Sequence, residues 1–243
     1  SPGDVGLARA YIMGDLEVVG DLYTAMTSLT RADLDLSWSA RWQAFRELGG
    51  LRLLQPPPRP GLEAKLRGRR HSRARDAAAI AHHYDVSNQF YALLLGPSMT
   101  YTCAVFPTET ATLEGAQFAK HDLVARKLGL QPGQTLLDVG CGWGGMVMHA
   151  AAHYQVRALG VTRSRKQAEW AQKAIAEAGL SDLAEVRHLD YRDLPGGRFD
   201  AISSIGLTEH IGRAQLRGYF RFLYERLAPG GRLVYATCSV LAR

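Results

Sequence analysis

Cysteine is scarce: Cys103, Cys141 and Cys238 are the only three in 243 residues. They are too few and too scattered for a disulfide framework or a zinc site, so no metal ligand is assigned and a reducing cytoplasm is the expected compartment. Long apolar runs are also missing. A spanning helix needs about 18 or more consecutive apolar residues, whereas Met146 to Ala152 is short and interrupted by His149. The N-terminus lacks the basic, apolar and small-residue order of a secretory signal. No internal repeat is visible, and no Asn-Pro-Pro-Tyr string of the base-flipping methyltransferases occurs. What is present is ordinary globular composition, 47% hydrophobic and 21% charged, which excludes disordered and collagen-like chains.

Charge is uneven. Residues 1–75 carry 12 Lys and Arg against 8 Asp and Glu, and residues 76–243 carry 17 against 15. Arg59 to Arg75 holds seven basic residues and one acid, Glu63. Such a stretch suits a polyanion, either nucleic acid or an anionic membrane face, and equally a solvated linker.

The chain divides near residue 55. Val5 to Thr30 reads as helix with a break at Gly14-Asp15, and Asp33 or Ser37 could cap a second helix carrying Trp38, Trp42 and Phe45 that stops at Gly49-Gly50. Pro56-Pro57-Pro58-Arg59-Pro60 then excludes helix and central strand. The expected organisation is a helical N-terminal domain at 1–54 associated with lipid, a Pro-rich basic linker at 55–75 and a larger domain at 76–243. In that domain Asp76 to Leu95 reads as helix with an irregular centre at Asp85-Val86-Ser87-Asn88, and Glu114 to Leu128 as a second helix. Strands at Thr135–Val139, Val156–Val161, Ala184–Leu189, Phe199–Ile205 and Arg232–Thr237 alternate with helices. The helix from Gln215 is expected to stop at Pro229-Gly230-Gly231. This alternation predicts an α/β fold with a doubly wound, mostly parallel sheet.

The strongest local signal is the strand at 135–139 running into Gly140-Cys141-Gly142-Trp143-Gly144-Gly145 and then a helix. Glycines here let the backbone turn tightly and approach a ligand where a Cβ would collide, and the following helix presents free N–H groups. The spacing fits both GxGxG and the dinucleotide pattern GxGxxG, so it does not decide the ligand. Asp138, two residues before the first glycine, can orient the turn and a ligand amino group. The dinucleotide acid about 20 residues on is absent, and Asp190 at the end of the third strand suits an adenine amino group. These features favour S-adenosylmethionine. Arg163 and Arg165 could instead receive an NADP 2′-phosphate.

Five strings extend the pattern: His82-His-Tyr-Asp-Val-Ser-Asn-Gln-Phe-Tyr91, Met99-Thr-Tyr-Thr-Cys-Ala-Val-Phe106, Leu136-Leu-Asp-Val-Gly-Cys-Gly-Trp-Gly144, Gly160-Val-Thr-Arg-Ser-Arg-Lys-Gln167 and Ser204-Ile-Gly-Leu-Thr-Glu-His-Ile-Gly212. Through them residues 81–243 resemble the cyclopropane-fatty-acyl-phospholipid synthases, which include mycolic acid cyclopropane synthases and related fatty-acid C-methyltransferases. The segment Gly6 to Asp15 is similar to the N-terminal extension of the longer, phospholipid-acting members. The resemblance implies a Rossmann-like class I methyltransferase domain. It places Tyr101 and Thr102 on the methyl donor, and Gly140, Cys141, Gly142 and Gly144 at its amino-acid end. Thr162 and Gln167 fall near the ribose and Asp190-Tyr191 beside the adenine. A structural reading of Thr162 is a hydroxyl capping the helix at 164.

An alkene is a weak nucleophile, and its attack on a sulfonium methyl leaves a carbocation that must lose a proton. The resemblance implies a bound bicarbonate as the base, held by Cys103 and Glu209. A bare Glu209 suits an anion only if it is protonated or accepts the bicarbonate hydroxyl. Read structurally, Cys103 is a small buried hydrophobe and Glu209 a helix-start acid. His82, His83 and His210 are further candidates, His210 as a catalytic residue or simply as a partner of Glu209.

Members of this family continue beyond the fifth strand with a histidine that Leu233-Val-Tyr-Ala-Thr-Cys-Ser239 lacks, so a C-terminal part with two more strands is expected to be missing. The expected function is conversion of the double bond in unsaturated phospholipid acyl chains to a cyclopropane ring, or to a methyl or methylene branch. A non-catalytic lipid- or donor-binding module is the alternative of another class. The expected partners are a phospholipid bilayer with unsaturated acyl chains and a second copy of the chain as a homodimer, with no nucleic acid. The expected location is the inner face of the membrane, held peripherally. There Arg67, Arg69, Arg70, Arg73 and Arg75 would meet anionic lipid, each contributing roughly 1 kcal/mol.

Overall fold

The computed structural model describes residues 4–31, 37–47, 61, 68, 72–84 and 87–237. Asp33, Gly49-Gly50, the proline run, Arg67, Arg69, Arg70, Asp85-Val86 and Cys238 lie outside the described residues. The chain divides into two compact units, Ser1–Lys65 and Leu66–Arg243.

In the first unit, α1 (Asp4–Met13) and α2 (Leu22–Arg31) are separated by a break wider than the Gly14-Asp15 expected from sequence. Asp21 starts α2, its carboxylate accepting the Thr24 N–H and hydroxyl, each at 2.7 Å. α3 (Trp38–Glu47) is capped by Ser37, whose hydroxyl accepts the Ala40 N–H at 3.3 Å. Trp38 and Trp42 on α3 are exposed.

The second unit opens with α4 (Arg73–Tyr84), α5 (Asn88–Leu95) and α6 (Leu113–Leu128). α4 begins three residues before the expected Asp76 because the Ser72 hydroxyl and carbonyl take the N–H groups of Arg75 and Asp76. Arg73 and Arg75 therefore stand on a helix, not in a linker. The Arg73 guanidinium pairs with Asp193 at 2.7 Å, and Arg75 donates to the Gly68 carbonyl.

Then follow β1 (Thr135–Val139), α7 (Gly145–Tyr154), β2 (Arg157–Thr162), α8 (Arg165–Glu177), β3 (Ala184–His188), β4 (Phe199–Ile205), α9 (Leu216–Arg226) and β5 (Leu227–Ala236). All four pairings are parallel, in the order β3-β2-β1-β4-β5. Successive residues of β1 serve opposite faces, as a strand's period of two requires. Leu136 joins Val124, Val147, Ala171 and Val186 under α6, α7 and α8, while Leu137 and Val139 join Ile202, Tyr219 and Leu223 under α9. The strand order reverses between β1 and β4, so a crevice opens beyond their C-terminal ends.

The fifth strand departs from expectation. α9 ends at Arg226 and the chain enters the sheet at once, Leu227 pairing with Phe199. Pro229-Gly230-Gly231 makes a bulge inside β5, after which Arg232 pairs with Ala201. Gly231 sits so close to the neighbouring strand that a Cβ would meet the Asp200 carbonyl oxygen at 3.0 Å.

Candidate active site

β1 carries Asp138 to the crevice and the glycine turn folds over it. The N–H groups of Gly140 and Cys141 both donate to the Val161 carbonyl, at 2.9 and 3.1 Å, fixing the turn to β2. Gly140, Gly142 and Gly144 have φ of 79°, 56° and 84°, a region that disfavours side chains. Their surroundings differ. A Cβ at Gly140 would meet Leu207 at 3.0 Å, and one at Gly144 would meet Ala171 at 3.2 Å and Val186 at 3.4 Å. A Cβ at Gly142 meets nothing within 4 Å.

The crevice holds a cavity of ≈150 Å³. Asp138 lines it from β1 and Gly140, Cys141 and Gly142 from the turn, Tyr101 and Thr102 from the segment before α6, Thr162 and Gln167 from the end of β2 and the start of α8, and Tyr191 and His210 from beyond β3 and β4. Gly144, Asp190, Cys103 and Glu209 are not lining residues. Gly144 serves helix packing, as its neighbours show.

Asp138 is buried, and burial raises its carboxyl to about 6 despite the Ser203 hydroxyl donated at 2.7 Å and the charge of Lys120. The Thr162 hydroxyl donates to Gln167 Oε1 at 2.7 Å, and both are buried. Ser164 is the cap of α8; the Thr162 hydroxyl accepts the Ser164 N–H at 3.3 Å without capping the helix. Asp190 was expected beside an adenine, but its oxygens are committed to arginine. They accept Arg192 Nε and Nη2 at 2.8 and 2.6 Å and lie 3.3 Å from Arg163 Nε. Burial raises its pKa, and the Arg192 hydrogen bonds with the arginine charges outweigh that and hold it below its ordinary value. Arg163 also donates to the Arg73 carbonyl at 2.6 Å. Its guanidinium is thus occupied by the protein, which disfavours a nucleotide 2′-phosphate there.

Cys103 is exposed, so it is not the buried hydrophobe of the structural reading. Glu209 lies in the 3-10 turn Thr208–His210, also exposed, next to the lining residue His210. His210 Nε2 stands 3.3 Å from the Tyr84 hydroxyl. Tyr84 lines the cavity, and burial pushes its phenol up to about 12. Its ring centroid lies 6.1 to 6.2 Å from those of Tyr101, Trp143 and His210. Trp143 is buried, its Nε1 donating to Asn88 at 2.9 Å. The Tyr91 hydroxyl donates to the His83 carbonyl at 2.7 Å. In the string from His82 to Tyr91 it is Tyr84 that faces the cavity, while His82 is exposed.

Among the lining residues not singled out from sequence are two ionisable side chains of α6, Lys120 and His121. Gln117, Lys120, His121 and Val124 are all buried, at the i, i+3, i+4 and i+7 spacing of one helix face. A lysine and a histidine on the inward stripe of an amphipathic helix were the available signal. Gln117 Nε2 donates to the Thr102 carbonyl at 2.9 Å and Lys120 Nζ to the Thr102 hydroxyl at 2.7 Å.

Beside the site, His149 on α7 is buried, with no hydrogen-bond partner for Nε2 among the described residues, and packs edge-on to Phe118. Burial and the neighbouring His153 push it down to about 4, and burial lowers His121 further still. An unfolded histidine titrates near 6.5. The stabilisation from keeping His149 neutral is therefore complete above that pH and is lost as pH falls toward 4. Asp138 acts oppositely, because its raised carboxyl takes a proton in the folded state first. Between pH 7 and pH 5, His149 is expected to account for a stability loss of about 2 kcal/mol. Denaturant unfolding of His149→Leu at the two pH values should show that much less acid sensitivity than the unsubstituted chain; equal sensitivity would refute the assignment.

Comparison with known proteins adds to this geometry. The family model described as mycolic acid cyclopropane synthetase matches residues 71–243. A "probable fatty acid methyltransferase" of Mycobacterium tuberculosis is 53% identical over 246 residues, covering 96% of this chain and 57% of the relative. Another of that description, from Pseudomonas putida, is 40% identical, covering 93% and 52%. Among solved structures, a mycolic acid cyclopropane synthase complexed with SAH (S-adenosylhomocysteine) and CTAB superposes with a TM-score of 0.63 at 39% identity, covering 65% of this chain and 55% of that one. The chain spans about half the length of these relatives.

Proposed function

The chain belongs to the mycolic acid cyclopropane synthetase family, and from that premise we propose that it transfers a methyl group from S-adenosylmethionine to the double bond of an unsaturated fatty acyl chain in a phospholipid. The product we favour is the cyclopropane; a methyl- or methylene-branched chain is the alternative from the same cation. The observation that carries the proposal is the open Cβ position of Gly142 on a cavity that also holds the buried Asp138 and the Thr162–Gln167 pair.

These groups fit the donor's polar ends. Asp138 would accept from its amino group, Thr162 and Gln167 would meet the ribose, and Tyr191 would border the adenine. When bound, the donor supplies a methyl group on a sulfonium, which makes it electrophilic. This chain's residues do the rest. Tyr84 and Tyr101 put aromatic faces beside the reacting region, where they favour positive charge on the acyl chain. Trp143, Leu207 and Ile211 line the same cavity with apolar surface and exclude water from the cation. Cys103 and Glu209 would hold a bicarbonate that supplies the base for the departing proton.

Reaching an acyl chain requires contact with a bilayer. No helix among the described residues is long and apolar enough to cross one. The exposed Trp38 and Trp42 of α3 and the basic segment from Arg59 support settling on an anionic surface, and the inner face of the membrane is the proposed location.

A donor bearing a trideuterated methyl group tests the chemistry on vesicles of unsaturated phospholipid. Ring closure removes one proton from the transferred carbon, so the expected product keeps two deuteriums. Loss of a chain proton would keep all three and establish the methyl-branched alternative; a methylene branch also keeps two and is told from the ring by its exocyclic double bond, which ozonolysis cleaves and the cyclopropane survives. Unlabelled lipid from a protein that binds donor would favour the non-catalytic module.

A further inference from the structure

Lys120 lies 6% exposed on the wall of the cavity, and its Nζ donates to the Thr102 hydroxyl at 2.7 Å. Asp138 lies 4% exposed on the same wall, holding the Ser203 hydroxyl at 2.7 Å. Among the described residues neither takes part in an ion pair. An ammonium has three donors and a carboxylate about four acceptor sites, so each keeps unused capacity. Each has a neutral hydroxyl as its hydrogen-bond partner, and their mutual attraction, without direct contact, leaves part of the cost of burying a charge unmet. Two such charges of opposite sign on one cavity call for a ligand with both charges on one short fragment. The amino-acid end of S-adenosylmethionine has that character, with an ammonium and a carboxylate on one carbon.

We propose that Lys120 is a donor-binding residue, the counter-ion of the α-carboxylate of S-adenosylmethionine, with Asp138 taking the α-ammonium; this rests on the donor reading given above. Thr102 positions the lysine. Its own place is set by Gln117, which donates to its carbonyl, and by Gly206, where a Cβ would meet Thr102 Cγ2 at 2.9 Å. The beginning of α6 and the end of β4 thus hold the ammonium at the mouth of the β1–β4 crevice. The role also accounts for a lysine on the inward stripe of α6, where an apolar residue would serve packing alone.

The test uses two ligands, S-adenosylhomocysteine and its decarboxylated analogue, and calorimetric affinities for the unsubstituted chain and Lys120→Met. The unsubstituted chain should prefer S-adenosylhomocysteine by roughly tenfold to hundredfold, as a charge-assisted contact gives. In Lys120→Met that preference should vanish through weaker binding of S-adenosylhomocysteine alone, with the analogue unchanged. Equal weakening of both ligands would make Lys120 a brace for Thr102, and a persisting preference would place the carboxylate elsewhere; either overturns the proposal. Should Lys120→Met not fold, Lys120→Gln, which retains a donor for the Thr102 hydroxyl but no charge, is read by the same criteria. If the unsubstituted chain binds neither ligand, the donor reading itself falls, a result distinct from failure at Lys120.

Discussion

Gly142→Val should abolish S-adenosylhomocysteine binding in a protein that still folds. The backbone at Gly142 has φ +56°, where a β-branched residue is strained by about 1–2 kcal/mol. That is a tolerable loss for a domain with two buried clusters flanking its sheet. A Cβ there has nothing within 4 Å, so the added side chain starts out into open space beside the cavity. It enters the space the ligand needs, so the damage falls on binding. Gly160→Ala is the contrasting variant. Gly160 does not line the cavity, and a Cβ there would sit 2.7 Å from Cys141 Sγ and 2.8 Å from Val147. Its damage should therefore fall on stability. Titration and thermal unfolding of the pair should show this crossing of effects. Near-normal affinity in Gly142→Val would remove the glycine turn from the donor site.

The second large effect concerns turnover. In an active preparation, Glu209→Gln is expected to lower turnover by about 10²-fold or more, as loss of a positioned acid–base group does, with donor affinity little changed. Glu209 sits between Thr208, whose hydroxyl lies 2.9 Å from that of Tyr235, and His210, which lines the cavity. The short turn after β4 thus anchors on one side and reaches the site on the other, while Glu209 itself does not line the donor cavity. The variant keeps size and loses charge, so the comparison isolates the carboxylate. Measured turnover equal to that of the unsubstituted protein would leave Glu209 a structural acid.

Much of this was legible in the sequence for local reasons. A buried parallel strand is a short apolar run, and a glycine turn announces itself at its end, so β1, the turn and α7 fall where periodicity put them. Thr162 and Gln167 lie five residues apart and share one helix start. What escaped depends on distant chain segments. Lys120 meets Thr102 across a turn and a helix, and the Tyr84 hydroxyl meets His210 across 126 residues. Asp190 read as a free acceptor although Arg192, two residues on, takes both its oxygens; only Arg163, folding onto it from the end of β2, comes from a distant segment. The bulge in β5 was hidden for a different reason. Pro-Gly-Gly is ordinarily a stop, and only the pairing of Leu227 with Phe199 shows the strand already begun.

The central claim is that the crevice beyond β1 and β4 binds a methyl donor. Parallel calorimetric titrations of the chain with S-adenosylhomocysteine and with NADP⁺ test it most directly. Saturable one-to-one binding of S-adenosylhomocysteine, lost in Gly142→Val, is expected, and none of NADP⁺, because Arg163 is committed to Asp190 and the Arg73 carbonyl. Binding of NADP⁺ without S-adenosylhomocysteine would contradict the claim.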